Sequence, residues 1–211
     1  MPTIWGGEGV APASRESKSL YNIIKIKMLR LLVLALTCAV CLVNSQIPSF
    51  GGCPTIKTQE SLDIQRYLGD WYEIFLFPTS FEKGKCTRAR YTLKADGHIN
   101  VYNRGIEDGK EFSAIGDAYV PDDQHPARLL VRFAEGTPYG NYWVINTDYD
   151  TYTLIYSCSP LAGLAHIEFA WILARNQTLD PQISQSLKDE LASYNVDISK
   201  FKVSDQSDCP P

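Results

Sequence analysis

Three histidines and six cysteines are the side chains of this 211-residue sequence best suited to ligate a metal or attack an electrophile, and their spacing gives them neither task. His98, His125 and His166 stand far apart, no HExxH pair occurs, and no GxSxG nucleophile turn is present. Cys53, Cys86, Cys158 and Cys209 are too widely separated to be the paired CxxC arms of a zinc site. Four such cysteines in an exported chain point instead to two disulfides, with three connectivities open. Once oxidised they leave no thiolate nucleophile. No metal, cofactor or catalytic residue is expected, and the chain is not expected to be an enzyme.

The remaining two cysteines, Cys38 and Cys41, lie in residues 31–43 (LLVLALTCAVCLV), an uncharged run preceded by Lys25, Lys27 and Arg30 and followed by Asn44 and Ser45. A membrane-spanning helix needs about 20 apolar residues, so this shorter run with basic residues ahead of it reads as a signal peptide over residues 28–45. Residues 1–27 carry no pattern and read as an upstream extension, with Met28 as the start. Residues 46–211 form the mature domain, and its 15 basic and 22 acidic side chains give a net charge of −7. Such a surface repels phosphate backbones and anionic headgroups, which argues against nucleic acid and against polybasic membrane attachment. No later span and no apolar C-terminal tail for a lipid anchor is expected.

The mature part breaks into short β-branched and aromatic runs at residues 70–77, 87–94, 98–103, 111–120, 127–133, 141–146, 151–157 and 167–174, separated by turn residues. Asp96-Gly97 and Asp108-Gly109 are hairpin signals, because glycine takes the positive φ of tight turns without steric cost. Eight strands in a meander close into a barrel wide enough for one small ligand. After the last strand, residues 181–193 (PQISQSLKDELAS) space Ile183, Leu187 and Leu191 at helical intervals, with Pro181 suited to the first turn. The expectation is an all-β, eight-stranded antiparallel up-and-down barrel with one C-terminal α-helix packed outside. Residues 201–203 are expected to add a short terminal strand.

Gly69-Asp70-Trp71 at the first strand, Thr147-Asp148-Tyr149 before the seventh and Arg175 after the eighth resemble the three-part signature of the lipocalin family. The resemblance covers the chain from Cys53 to Pro210. It implies that Trp71 sits at the closed end with Arg175 packed over it, so that Gly69, Trp71, Thr147, Asp148, Tyr149 and Arg175 are structural. It also implies that Cys53 pairs with Cys158 and Cys86 with Cys209. Members carry small hydrophobic molecules, and the family's pocket positions fall on Tyr91, Asn103, Phe133, Tyr142, Trp171 and Leu173. Ordinary core packing is the competing reading of these six residues.

The resemblance has departures. Pro160 stands where a relative has a further cysteine able to link to another chain, so no covalent partner is expected. Residues 134–141 (AEGTPYGN) are more polar than the hydrophobic lip of that relative, which leaves at most loose membrane association. Met1 and Met28 both precede residue 46, so no methionine remains to reduce a peroxide. His98 falls in a strand or turn and His125 in a loop; His166 is the one histidine with any reach toward the pocket mouth. Asn176-Gln177-Thr178 is the glycosylation sequon of the mature part. The expected function is a secreted, extracellular, monomeric carrier of a fatty acid, sterol or retinoid-like ligand. The alternatives are a bilin or carotenoid pigment carrier and, from another class, an extracellular protein-interaction scaffold. N-terminal sequencing of secreted material is expected to begin near Gln46; a start at Met1 or Met28 would remove the cleaved leader.

Overall fold

The computed structural model describes residues 25–28, 30, 49–79, 82–161 and 164–210. The chain divides into two units, residues 1–45 and 46–211. In the first, residues 25–28 and 30 are helical and exposed. The rest of the extension expected over 1–27, and of the leader expected over 28–45, lies outside the described residues. Among the described residues no helix is long and apolar enough to cross a membrane.

In the second unit the eight long strands are β2 (Gly69–Leu76), β3 (Lys85–Leu93), β4 (Ile99–Glu107), β5 (Lys110–Tyr119), β6 (Arg128–Arg132), β7 (Gly140–Thr147), β8 (Tyr152–Leu161) and β9 (Ala165–Ala174). Each pairs antiparallel with its successor, and β9 returns to β2, so the sheet closes and its long edges vanish. A two-residue strand β1 (Ser49–Phe50) flanks β9, and β10 (Lys202–Val203) flanks β2. All eight expected runs are strands. The third reaches Glu107 rather than ending at Asn103, because Asp108 and Gly109 both take positive φ, 51° and 73°, and so tight a turn holds Glu107 opposite Lys110.

Alternation divides the barrel wall into two apolar faces. One cluster fills the interior with Trp71, Tyr91, Val101, Leu129, Val144 and Ile155. The other, with Leu154, Tyr156, Ala170 and Ile172, lies outside under Leu187 and Leu191 of helix α2 (Pro181–Ala192), where α1 denotes the single turn Ile64–Tyr67. Asp180 caps α2 by accepting from the Gln182 and Ile183 N–H groups, and Pro181 occupies the first turn, where its missing donor costs nothing. Burial on both faces explains why β8 and β9 read as nearly continuous apolar runs. The α1 turn was not legible in the sequence pattern; Asp63 caps it, and it brings Tyr67 into the interior with 2% exposure.

Between β2 and β3 the wall has a seam. The β2–β3 ladder runs only from Gly69–Tyr91 to Tyr72–Arg88. Beyond it β10 takes the edge of β2, the Cys86 N–H donates to Asp205 O at 2.8 Å, and Gln206 Nε2 donates to both Glu73 O and Thr87 O at 2.8 Å. The C-terminal tail therefore stands in as a ninth strip of wall, and the Cys86–Cys209 disulfide, spanning 123 residues, pins it there. The Cys53–Cys158 disulfide ties the N-terminal segment to β8. Closing a loop of this length restricts the unfolded chain by roughly 2–5 kcal/mol. The double variant Cys86→Ser/Cys209→Ser is expected to lose stability of that order in urea titration and to expose residues 202–210 to proteolysis; an unchanged midpoint with a protected tail would show that the hydrogen bonds alone hold the seam.

Candidate functional site

The floor of the barrel is built from the residues of the three-part signature. Gly69 has φ +95°, a backbone conformation that glycine takes without steric cost, and it lies against Arg175, whose Nη1 would be 3.4 Å from a Cβ there, an ordinary contact. Arg175 lies 3.7 Å from the centroid of the fully buried Trp71 ring. It donates from Nε to Tyr149 O, from Nη1 to Asp70 O and from Nη2 to Arg66 O, at 2.8, 2.8 and 2.7 Å. The Trp71 Nε1–H donates to Tyr67 O at 2.9 Å. Asp148 Oδ1 accepts from the N–H groups of Asp150, Thr151 and Tyr152, while Thr147 Oγ1 bonds Tyr152 O and the Tyr149 N–H. Tyr149, at φ 70°, takes the Asp63 N–H on its hydroxyl, which joins the β7–β8 turn to α1.

Above Trp71 lies a layer of three phenols. Tyr67 stacks on Tyr91 with centroids 5.7 Å apart, and Tyr142 links the two through hydroxyl contacts of 3.0 Å to Tyr67 and 2.9 Å to Tyr91. Thr153 Oγ1 meets the Tyr67 hydroxyl at 3.1 Å. Burial pushes the Tyr67 phenol up to about 12 and raises Tyr91 and Tyr142 as well, so all three stay protonated and serve as mutual donors and acceptors. The void among Tyr67, Tyr91, Ile99, Val101, Ala118, Leu129, Val131 and Tyr142 is ≈ 10 Å³, room for about one water. The floor is thus filled.

Nearer the mouth the lining changes. Asn103, opposite Ala89 in the ladder, faces inward, and its Oδ1 is buried with no hydrogen-bond partner. Phe169 stacks on Trp171 with centroids 5.8 Å apart, and the Trp171 Nε1–H donates to Glu82 Oε2 at 2.9 Å. Glu82 is hydrogen-bonded in turn to Glu73, which is 3% exposed on the inner face of β2. Burial, then the neighbouring Glu82 charge, holds the Glu73 carboxyl well above the usual carboxylate range; burial raises Glu82 too, against the opposing pull of the Trp171 and Glu73 hydrogen bonds. Burial thus pushes both carboxyls toward their protonated forms. At the rim, Phe133 is 45% exposed and lies over Gly116.

All six sequence-derived pocket positions therefore lie on the inner face, at different depths. Tyr91, Tyr142 and Leu173 belong to the filled floor, Asn103 and Trp171 stand above it, and Phe133 is at the rim. His166 does not reach the mouth: it is on the outer face of β9, with Nδ1 3.0 Å from Gly51 O and Nε2 3.7 Å from Glu168, because alternation from the inward Trp171 turns even-numbered neighbours outward. His98 and His125 contact Asp117 and Asp122 at the protein surface. Asn176 is exposed in the turn after β9.

Comparison with known proteins agrees with this geometry. A family model described as a lipocalin-like domain matches residues 62–206. Apolipoprotein D of Cavia porcellus is 42% identical over 184 residues, covering 87% of this chain and 97% of that protein. The bilin-binding protein of Pieris brassicae is 31% identical over 183 residues, covering 84% and 95%. The crystal structure of insecticyanin from the tobacco hornworm Manduca sexta superposes with a TM-score of 0.67 at 30% identity, covering 77% of this chain and 90% of that one. Lobster apocrustacyanin A1, at 24% identity and a TM-score of 0.69 over 77% and 93%, shares the fold. The chain belongs to the lipocalin family. Within it, the similarity to apolipoproteins D extends over nearly the full length of those proteins.

Sequence reasoning missed Glu73, Glu82 and Gln206. For Glu73 the signal was present: two residues after an inward Trp71, it has to face inward as well. A group protonated in the folded protein well above its unfolded value of about 4.3 leaves the native state binding more protons, so stability falls as pH rises from that value toward the elevated one. Thermal unfolding of Glu73→Gln between pH about 4 and about 9 is expected to show a flatter decline than the parent, since the amide has no proton to lose. Parallel profiles would mean that Glu73 ionises freely.

Proposed function

We propose that this chain is a secreted, extracellular carrier that acts as a monomer and holds one small hydrophobic ligand inside the barrel, between the tyrosine floor and the Phe133 rim. The observation that carries the reading is the inner face above the floor. Trp171 and Phe169 present stacked aromatic surface there, and Asn103 Oδ1 is a buried acceptor with no partner, an arrangement that a bound molecule would complete. Burial of ligand area contributes about 25 cal/mol per Å², and the few polar groups set orientation. Tyr91, Tyr142 and Leu173 form the base on which the ligand rests, and Phe133 meets it at the entrance. The two disulfides suit an oxidising compartment, and exposed Asn176 is the expected glycosylation site. Chemistry on the ligand is not part of this reading: the inner residues offer burial and hydrogen bonds, and Cys53, Cys86, Cys158 and Cys209 are paired in disulfides.

A fatty acid, sterol or retinoid-like molecule is the ligand class, in keeping with the long apolipoprotein D match. The bilin-binding relative favours a second reading, a bilin or carotenoid pigment carrier. Natively purified protein is expected to be colourless, and organic extraction with mass spectrometry to yield a lipid; visible absorbance from a bound tetrapyrrole or carotenoid would select the pigment reading. Replacing Trp171 by alanine removes a buried aromatic contact of roughly 1.5–3 kcal/mol, so displacement of a fluorescent lipid probe should show about tenfold weaker binding or more, with an unchanged far-ultraviolet spectrum. Protein that carries nothing and whose partner binding depends on outer loops instead of Trp171 would point to a protein-interaction scaffold.

A further inference from the structure

Outside the barrel a groove of ≈ 240 Å³ lies across β2 to β5, walled on one side by Gln206 and Pro210 of the C-terminal tail. Ala89 and Asn103 face inward, so their neighbours Arg88 and Arg104 face out into this groove, directly opposite one another in the β3–β4 ladder. Like charges in that register repel. Elsewhere on the same face the chain supplies the acid: Arg90, two residues along β3, is held by both oxygens of Asp70 at 2.8 Å. Arg88 Nη1 donates to the Tyr72 hydroxyl at 3.3 Å, on the groove wall. The Arg104 guanidinium has no hydrogen bond or ion pair among the described residues, and its partner on β5 is Ser113. Glu111, the carboxylate on the groove, is exposed, stands opposite Ile106 and forms no ion pair with Arg104. The tail wall has a loose end as well. Gln206 uses its amide N–H groups on Glu73 O and Thr87 O, and its Oε1 is buried with no hydrogen-bond partner.

We propose that this groove is a second ligand site, separate from the lumen, and that it takes one acidic sugar unit of the uronate kind. The sugar's carboxylate lies against Arg88 and Arg104, where it relieves their repulsion and gives the planar Arg104 fork the pair of oxygens that it matches. A ring hydroxyl donates to Gln206 Oε1, others meet Ser113 and the Gln177 amide at the end of the groove, and Tyr72 and Tyr102 supply flat surface for the ring. Sulfate would answer the arginines but brings no donor for Gln206, and a neutral sugar brings no counter-charge. The volume is below the range of about 300–1,000 Å³ of drug-sized ligand sites, which fits a single ring. The net charge of −7 on the mature domain holds off a long polyanion, whereas one charge meets the local arginine pair.

The test is a nitrogen-15 NMR titration of the purified mature protein with glucuronate, glucose and inorganic sulfate, at neutral pH and low salt, repeated on Arg104→Gln. Glucuronate is expected to shift the amides around the groove saturably and to bind about tenfold more tightly than either glucose or sulfate. Arg104→Gln should erase the advantage over glucose and leave the affinity for a fluorescent lipid probe in the lumen at the parent value. Glucuronate binding no tighter than glucose, or an advantage unchanged in Arg104→Gln, overturns the proposal. Sulfate binding as tightly as glucuronate overturns it too, since the groove would then hold a bare anion. In each case the carrier reading of the lumen stands. Should the glutamine variant not fold, Arg104→Lys keeps the charge but loses the fork, and is expected to cut the advantage of glucuronate by about threefold or more.

Discussion

The closed end of the barrel depends on one cation held against one ring. Arg175 comes from the residue after β9 and Trp71 from β2, the two strands whose pairing closes the sheet. A guanidinium over an indole face contributes about 0.5–2 kcal/mol by itself. Its larger effect is on the three carbonyls it satisfies, because Arg66 O, Asp70 O and Tyr149 O belong to α1, β2 and the β7–β8 turn. Carbonyls at the end of a barrel have no ladder partner, and one planar fork with fixed donor geometry meets three of them. Lysine carries the charge but cannot span these positions, and this gives the arginine of the signature a physical meaning.

With one end fixed, the ligand space is defined by where side chains stop filling it. Burial makes deprotonation of the Tyr67, Tyr91 and Tyr142 phenols costly, and each is satisfied by another or by Thr153, so the layer is a rigid polar floor within an apolar tube. Above it the hydrogen-bond accounts no longer close: Asn103 Oδ1 is left over, and burial raises two neighbouring carboxyls beside Trp171. The change from a satisfied network to an unsatisfied one marks the boundary between structure and site. The Cys86–Cys209 tail supports the same region from outside, since Gln206 bonds the backbone of Glu73 and Thr87 where the β2–β3 ladder has opened.

The strands were legible because their signal is local: alternation, β-branched residues and Asp-Gly turns specify a hairpin from within a dozen residues. The helix α2 was legible for the same reason, with Asp180 and Pro181 at its start and Leu187 and Leu191 on one face. What stayed hidden is non-local. Nothing near Gln206 says that it bridges β2 and β3, and α1 is one turn whose stability comes from Asp63, the Tyr149 hydroxyl and the burial of Tyr67, not from helix propensity. The inner face was reached through family resemblance, although Trp71 alone orients β2 and hence Glu73. His166 was misplaced for want of that same step along β9, where inward Trp171 turns His166, five residues away, to the outside.

The barrel wall beside β2, the strand that carries Glu73, is packed on both of its faces. A strand exposed to solvent on its outer face could shed an unsatisfied inner group by twisting, but β8 and β9 are pinned on both faces, inside by Ile155 and Leu173 and outside by Leu154, Ile172 and helix α2. Glu168, on the outer face of β9, adds bonds to Tyr156, Ser49 and Lys200 that anchor the N-terminal and C-terminal segments to the same strand. Packing on two sides therefore supplies the stability that lets the lumen keep polar groups whose best partner is not part of the chain. A lumen lined only with leucine and valine would be more stable and would offer no polar group to orient a bound molecule.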